Sequence, residues 1–420
     1  MTEKIHLLVE NLFRHQAGQV TATLSRIYGL EHLELIEDSV QETLLKALQI
    51  WPIKGVPKNP GGWIYASAKN LTVDKLRRES SVVTRSPDFD NLLEMQSFAG
   101  EEKEILLDAE LKDDVLKMMF VCCHPAISRE AQVSLTLNIL GGFSVTEIAK
   151  AFFTQDTTVA QRLVRAKRKI RDEQLSLETP KNGELQKRVE SVLEVLYLLF
   201  NKGYNAHEGE SLIQEELCEE AVRLLTILSD HPGGRLPEVH ALLALMYLQM
   251  SRFPARLDDN GDILLLSEQN RELWDRAMIQ RGFYHLDLAR RADALTEYHV
   301  QAGIAACHAL APSYERTDWR TITDYYDILQ SINDSPVYAL NRAVALAMSE
   351  GADAGLDALE GLAHLPTMRS YYLYYATLGE LFARAGRNSD AAAAYRQALQ
   401  TVQTEPEKNL LKKRLVQTSQ

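Results

Sequence analysis

At 420 residues with a formal net charge of −12, the chain is too long for one small core, and two to four domains are expected. Its four cysteines, Cys122, Cys123, Cys218 and Cys307, follow neither a disulfide framework nor zinc-site spacing, which fits a reducing, cytoplasmic setting. The N-terminal stretch is mixed in charge and nowhere do eighteen apolar residues run together, so neither export nor a membrane span is expected.

The acidity is unevenly spread. Residues 1–180 hold 22 Lys+Arg against 25 Asp+Glu, a net of −3, whereas residues 181–420 hold 24 against 33, a net of −9. Basic residues in the first part cluster at Lys69–Arg78 and Arg162–Arg171. Binding to phosphates depends on such local patches, so the global acid excess does not exclude nucleic acid.

Helical periodicity runs through almost the whole chain without convincing strand alternation, and the fold class is all-α. Breakers divide it: a loop containing Pro52, Pro57, Pro60 and Gly61-Gly62, a polar stretch from Ser80 to Gly100, and turns at Thr179–Gly183 and His231–Gly234. The expected domains are 1–80, 109–175 with a linker at 81–108 before it, a helical extension over 184–285, and helical repeats over 286–420.

The first informative helix runs from about Leu33 to Ile50. Leu33, Ile36, Val40, Leu44, Ala47 and Leu48 form its core stripe, while Asp38, Gln41, Glu42 and Leu45 gather on the far side. That far face suits either solvent or a partner helix. After the Pro/Gly loop, Ile64, Tyr65, Ala68, Leu71 and Leu76 make the next stripe, opposite Trp63, Asn70, Asp74 and Arg77, with Arg78 at the edge. An aromatic ring can stack on an unpaired base, an amide can pair with base edges and arginines can hold phosphates. Trp63 fits equally a core position at a helix start.

After Gly141-Gly142, Ser144 and Glu147 form a capping box opening a short helix with Ile148, Ala149 and Phe152 inside. A tight turn leads to a second helix starting near Asp156 or Thr157. Its core residues Val159, Leu163 and Ala166 leave Thr157, Thr158, Gln161, Arg162 and Arg165 outward, and its end carries Lys167, Arg168, Lys169 and Arg171 for phosphates. This is the pattern of a helix-turn-helix.

Asp38-Ser-Val-Gln41-Glu42-Thr, and then Trp63-Ile-Tyr-Ala-Ser-Ala-Lys-Asn70-Leu-Thr-Val-Asp74-Lys-Leu-Arg77-Arg78, resemble regions 2.2 to 2.4 of extracytoplasmic-function sigma factors of the sigma-70 family. The segment from Glu147-Ile148-Ala149 through Arg165-Ala166 is similar to their region 4.2. The resemblance covers about the first 175 residues. It implies that Asp38, Gln41, Glu42 and Leu45 bind the β′ clamp helices of core RNA polymerase. It implies further that the Trp51–Gly62 loop with Trp63, Asn70, Asp74, Arg77 and Arg78 melts and reads the minus-ten element. The helix bearing Thr157, Thr158, Gln161, Arg162, Arg165, Lys167, Arg168 and Lys169 would bind the minus-thirty-five element. Phe153 and Thr154 depart from the family's usual turn, and Ala160 replaces a common lysine.

The C-terminal part reads as successive amphipathic helices, including Glu190–Phe200, Glu215–Leu228 and Pro237–Met250. Leu340–Leu346 before Gly351, and Ala376–Ala383 before Gly386, repeat at 35 residues, similar to tetratricopeptide repeats, whose concave face takes a protein or peptide partner. Asp258, Asp259, Asn260 and Asp262 lack the glycine and terminal glutamate of an EF-hand, and Cys122-Cys123-His124 point apart on a helix, so no metal or other cofactor is expected. No phosphate-loop, dinucleotide or nucleophile motif is present, which argues against an enzyme. The competing reading is a stand-alone helix-turn-helix regulator with a sensing repeat domain. It leaves the Asp38/Gln41/Glu42 face and the Trp63/Asn70 helix without a role.

Overall fold

The computed structural model describes residues 16–79, 101–152, 154–180, 182–204, 214–258, 262–402 and 404–418. Among them every regular element is helical, apart from one isolated antiparallel bridge between Leu257 and Ile263. The chain is all-α. It divides into two compact units, Met1–Leu199 and Phe200–Gln420.

In the first unit, α1 (16–28) and α2 (Leu33–Lys54) pack with α3 (Pro60–Glu79) around Val20, Leu24, Ile36, Val40, Leu44, Trp51, Ile64 and Ala68. The core stripe expected of α2 is buried from Leu33 to Ala47. The Pro/Gly loop is shorter than the sequence suggested. α2 continues to Lys54 with Pro52 in its last turn, where the ring removes the N–H that would bond the Leu48 carbonyl and only two helical residues lie beyond it. α3 already begins at Pro60, whose missing N–H is no loss at a helix start, and the Asn59 side chain accepts the N–H of Gly62 at 2.8 Å.

Then come α4 (Glu101–Cys122) and α5 (Arg129–Leu135), the latter running into a π-turn at Thr136–Leu140. Residues 101–108, expected in the linker, are helical backbone instead. α6 (Val145–Ala151) and α7 (Asp156–Asp172) follow one another at the place expected for the helix-turn-helix, and α8 spans Asn182–Tyr204. The capping box forms: Ser144 Oγ accepts from the Glu147 N–H at 3.2 Å, and Glu147 Oε2 accepts from the Ser144 N–H at 2.8 Å. Val159, Leu163, Ala166 and Ile170 bury the inner face of α7.

Among the contacts that join these parts of the first unit are an ion pair and a close backbone approach. Arg26 of α1 pairs with Asp114 of α4 at 2.8 Å. Gly18 lies so near the π-turn that a Cβ there would stand 2.5 Å from the Leu140 carbonyl oxygen. The segment of α8 within this unit also packs here. Ser191 donates to the Cys123 carbonyl at 3.0 Å, Arg188 to the Phe120 carbonyl, and Arg129 to the Ser191 carbonyl at 3.1 Å, while Val189, Val192, Leu193, Val195 and Leu196 are buried. Two carbonyls at the end of α4 thereby gain side-chain donors.

In the second unit, α9 (Glu215–Asp230) precedes α10 (Pro237–Met250), which is apolar on nearly every side and correspondingly central. α11 (Arg276–Ala289) and α12 (Glu297–Leu310) pack on it. α13 (Trp319–Ile332) leads to a hairpin of α14 (Pro336–Glu350) and α15 (Ala352–Glu360), then the short α16 (Pro366–Arg369), a hairpin of α17 (Tyr372–Arg384) and α18 (Asn388–Thr401), and α19 (Glu405–Gln417). Gly351 and Gly386, the two repeat glycines, have φ of +112° and +74°, the left-handed turns that a side chain would strain. Of the acidic loop, Asp259 and Asn260 lie outside the described residues, as does Phe153 of the helix-turn-helix.

Candidate polymerase and nucleic-acid interfaces

On α2, the residues opposite the core stripe separate into two sets. Asp38, Gln41 and Leu45 are exposed, Leu45 by 56%. Glu42 is instead partly turned towards α3, with its carboxylate 3.0 Å from Lys46 and 3.3 Å from Lys75. Hydrogen bonds from these two lysines hold its carboxyl below the ordinary range. An exposed leucine beside an aspartate and an amide gives a small mixed surface, the type that receives a partner helix.

On α3, Asn70, Asp74, Arg77 and Arg78 are exposed together. Trp63 is half-buried, edge-on to Trp51 with ring centroids 5.5 Å apart, so the indole is held by the core while part of it stays open. Lys69, within the basic stretch of the sequence, is buried, and desolvation lowers its pKa. It adds nothing to the outward charge. Ile53, 85% exposed at the end of α2, was not singled out by the sequence pattern.

The start of α7 is fixed by Thr146, which donates to Asp156 Oδ2 at 2.7 Å across the turn. Thr157, Gln161, Arg165 and Arg168 then stand exposed along one side, with Thr158 and Arg162 half-buried at its edge. Val164, 59% exposed, belongs to this row although its type pointed inward; its offset from Leu163 and Ala166 was the available signal. Among the described residues Arg168 and Lys169 pair with Asp172 and Glu173 at the surface, interactions weak enough to be exchanged for phosphates.

Lys167 departs from the expected phosphate set. It sits one turn beyond buried Leu163 and one before buried Ile170, with its side chain 16% exposed and its Nζ 2.7 Å from Glu37 Oε2. Glu37 is 8% exposed, and burial raises its carboxyl pKa against the opposing pull of Lys167. A carboxylate so placed needs a cation more than DNA does. Nothing in the sequence could have joined two residues 130 positions apart.

Residues 12–82 match the model of sigma-70 region 2. The chain belongs to the sigma-70 family. It is a sigma factor of the extracytoplasmic-function type with a C-terminal extension, and residues 188–290 of that extension match a family of unknown function, DUF6596. An uncharacterized protein of Rhizobium meliloti is 36% identical over 368 residues, covering 88% of this chain and 86% of the relative. Sigma-70 proteins are non-enzymatic transcription factors, and region 2 implies that this sigma factor binds core RNA polymerase and promoter DNA in transcription initiation. The match takes in both the Asp38/Gln41 face and the Trp63/Asn70 helix, the two features a stand-alone regulator leaves unexplained. No helix among the described residues is long and apolar enough to cross a membrane.

Proposed function

We propose that the sigma factor divides its work among three helices. α2 docks on the β′ clamp helices of polymerase through Asp38, Gln41 and Leu45, with Glu42 at the rim. α3 engages the melted minus-ten element through Trp63, Asn70, Asp74, Arg77 and Arg78. α7 lies in the major groove of the minus-thirty-five element, reading bases with Thr157, Thr158, Gln161, Arg162 and Arg165 and holding phosphates with Arg168 and Lys169.

The observation that carries this reading is the exposed row Thr157, Gln161, Arg165 and Arg168 on a helix whose opposite side is buried and whose start is tied to a capped preceding helix. A helix held that rigidly presents its side chains in a fixed register, which base readout requires. Residues 286–420 supply helical hairpins of the tetratricopeptide type, a surface for a protein or peptide that regulates the sigma factor. Run-off transcription with purified core polymerase and genomic fragments tests the assignment. Discrete start sites that depend on this chain are expected, and transcripts unchanged by its omission would refute it.

A further inference from the structure

Between α10 and α11 the second unit gathers three arginines, Arg252, Arg256 and Arg271, that pair with no carboxylate among the described residues. Arg252 donates to the side-chain oxygens of Gln269 and Gln249 at 3.2 and 3.5 Å. Arg256 donates to the Tyr204 carbonyl at 2.7 Å and lies 4.0 Å from the centre of its ring. Arg271 donates to the carbonyls of His308 and Ala311, the latter at 2.9 Å, at the end of α12. Among the described residues none of the three has a carboxylate within ion-pair distance. Exposed Glu315 is the acid whose charge is felt at Arg271.

Two further groups mark the place. Trp274, 3% exposed, lies under both guanidinium groups, 5.5 Å from Arg252 and 4.7 Å from Arg271, and its Nε1–H has no hydrogen-bond partner among the described residues. His308 Nδ1 is likewise buried without a partner. Its pKa is pushed down to about 3, first by burial and then by Arg252 and Arg271, so the imidazole is neutral beside them. Partly buried cations without counter-charge are costly, as is a buried indole N–H left unpaired, and an oxyanion entering here supplies the missing counter-charge.

We propose that Arg252, Arg271 and Trp274, with Arg256 and His308 beside them, form a binding site for a phosphate-bearing small molecule. Guanidinium forks match phosphate oxygens in pairs, and a phosphate monoester brings about −1.5 to −2 of charge where a carboxylate brings one. The arginines are half-buried and lie on aromatic rings rather than projecting, and residues 181–420 carry a net of −9. A long nucleic acid meets that acidic surface, whereas a compact dianion feels chiefly the local cations. Arg252, Arg256, Arg271 and Trp274 lie within the segment matched to the family of unknown function and His308 lies beyond it, and the site does not depend on the promoter-binding assignments above.

The test uses the full-length chain in chloride buffer, with titration calorimetry and thermal unfolding. The probes are inorganic phosphate, pyrophosphate, acetate and a short DNA duplex, all at equal ionic strength. Saturable binding and a raised melting temperature are expected with phosphate and more strongly with pyrophosphate. Arg252→Gln should weaken pyrophosphate binding at least tenfold, and Arg290→Gln, at a 78%-exposed side chain paired with Asp287, should leave it unchanged. Should Arg252→Gln fail to fold, Gln249→Glu keeps the arginine and gives it an internal carboxylate; it should abolish binding without lowering the melting temperature. Pyrophosphate binding that survives in the substituted arginine or in Gln249→Glu overturns the site, as does an equal response to acetate or to the duplex.

Discussion

Lys167 Nζ stands 2.7 Å from Glu37 Oε2, so the helix bearing the exposed Thr157/Gln161/Arg165/Arg168 row is tied to the helix bearing Asp38 and Gln41. Because burial raises the Glu37 pKa above its ordinary 4.5, the native chain holds that proton more tightly than the unfolded chain does. Unfolding free energy therefore falls as pH rises through the window above 4.5. Glu37→Gln should flatten this part of the profile relative to the parent, as followed by chemical denaturation at a series of pH values. Lys167→Met should destabilise by up to about 3–5 kcal/mol near neutral pH, and less as Glu37 becomes protonated. Parallel profiles for parent and Glu37→Gln would show that the carboxylate is not desolvated.

Arg165→Ala and Arg162→Ala should each weaken minus-thirty-five binding, by about 1–3 kcal/mol where the lost contact is a bidentate base pairing. Arg168→Ala should act differently, lowering affinity for all sequences and reducing the salt slope by about one. Fluorescence anisotropy of labelled promoter DNA over a salt series separates the two. Wild-type affinity and slope in all three variants would remove α7 from the groove.

Asp38→Ala combined with Gln41→Ala should reduce capture of core polymerase while leaving the melting temperature within about 0.5 kcal/mol equivalent, since both side chains are exposed opposite the core stripe. A pull-down at matched concentrations measures it. Undiminished capture would assign that face to solvent.

Truncation after Asp172 removes α8 and, with it, the donors to the Phe120 and Cys123 carbonyls and seven buried apolar side chains. At about 1.5–3 kcal/mol for each fully buried aliphatic residue, that loss should exceed the stability of a small domain. Truncation after Tyr204 should leave the first unit folded. Circular dichroism melts of the two fragments distinguish these outcomes, and equal stability would mean that α8 is not integral to this unit.

His240 and His285 face each other with Nδ1 atoms 3.1 Å apart. Burial and then the charge of His240 push the His285 pKa down to about 4 from 6.5, so the unfolded chain binds a proton that the native chain refuses. Stability from this pair is full above pH 6.5 and is lost progressively as pH falls towards 4. The loss is on the order of 1–2 kcal/mol once solvent screening of a partly open ring is allowed for. His285→Gln should flatten that descent in denaturation curves of the full chain.

Periodicity made the helices legible, and Leu33 to Ala47 and Val159 to Ala166 are buried as their spacing required. The Ser144/Glu147 box was equally readable, because a cap is a local device with a local signature. What escaped was tertiary. Lys167 looked like its basic neighbours until Glu37 claimed it, and Arg252, Arg256 and Arg271 fall in no pattern of spacing. The early end assigned to α2 at Ile50 reflects the weight given to Pro52, which costs the helix one backbone bond but does not end it before Lys54.

Gly18 sets a distance as well as a local conformation. A Cβ at that position would press on the Leu140 backbone, which cannot step aside as a flexible side chain could. One hydrogen atom in place of a methyl group thus fixes how closely the bundle bearing α3 approaches the bundle bearing α7. Alanine there is a wedge, resetting the interval between the two helices proposed to face DNA without altering a single charged or aromatic residue on either of them.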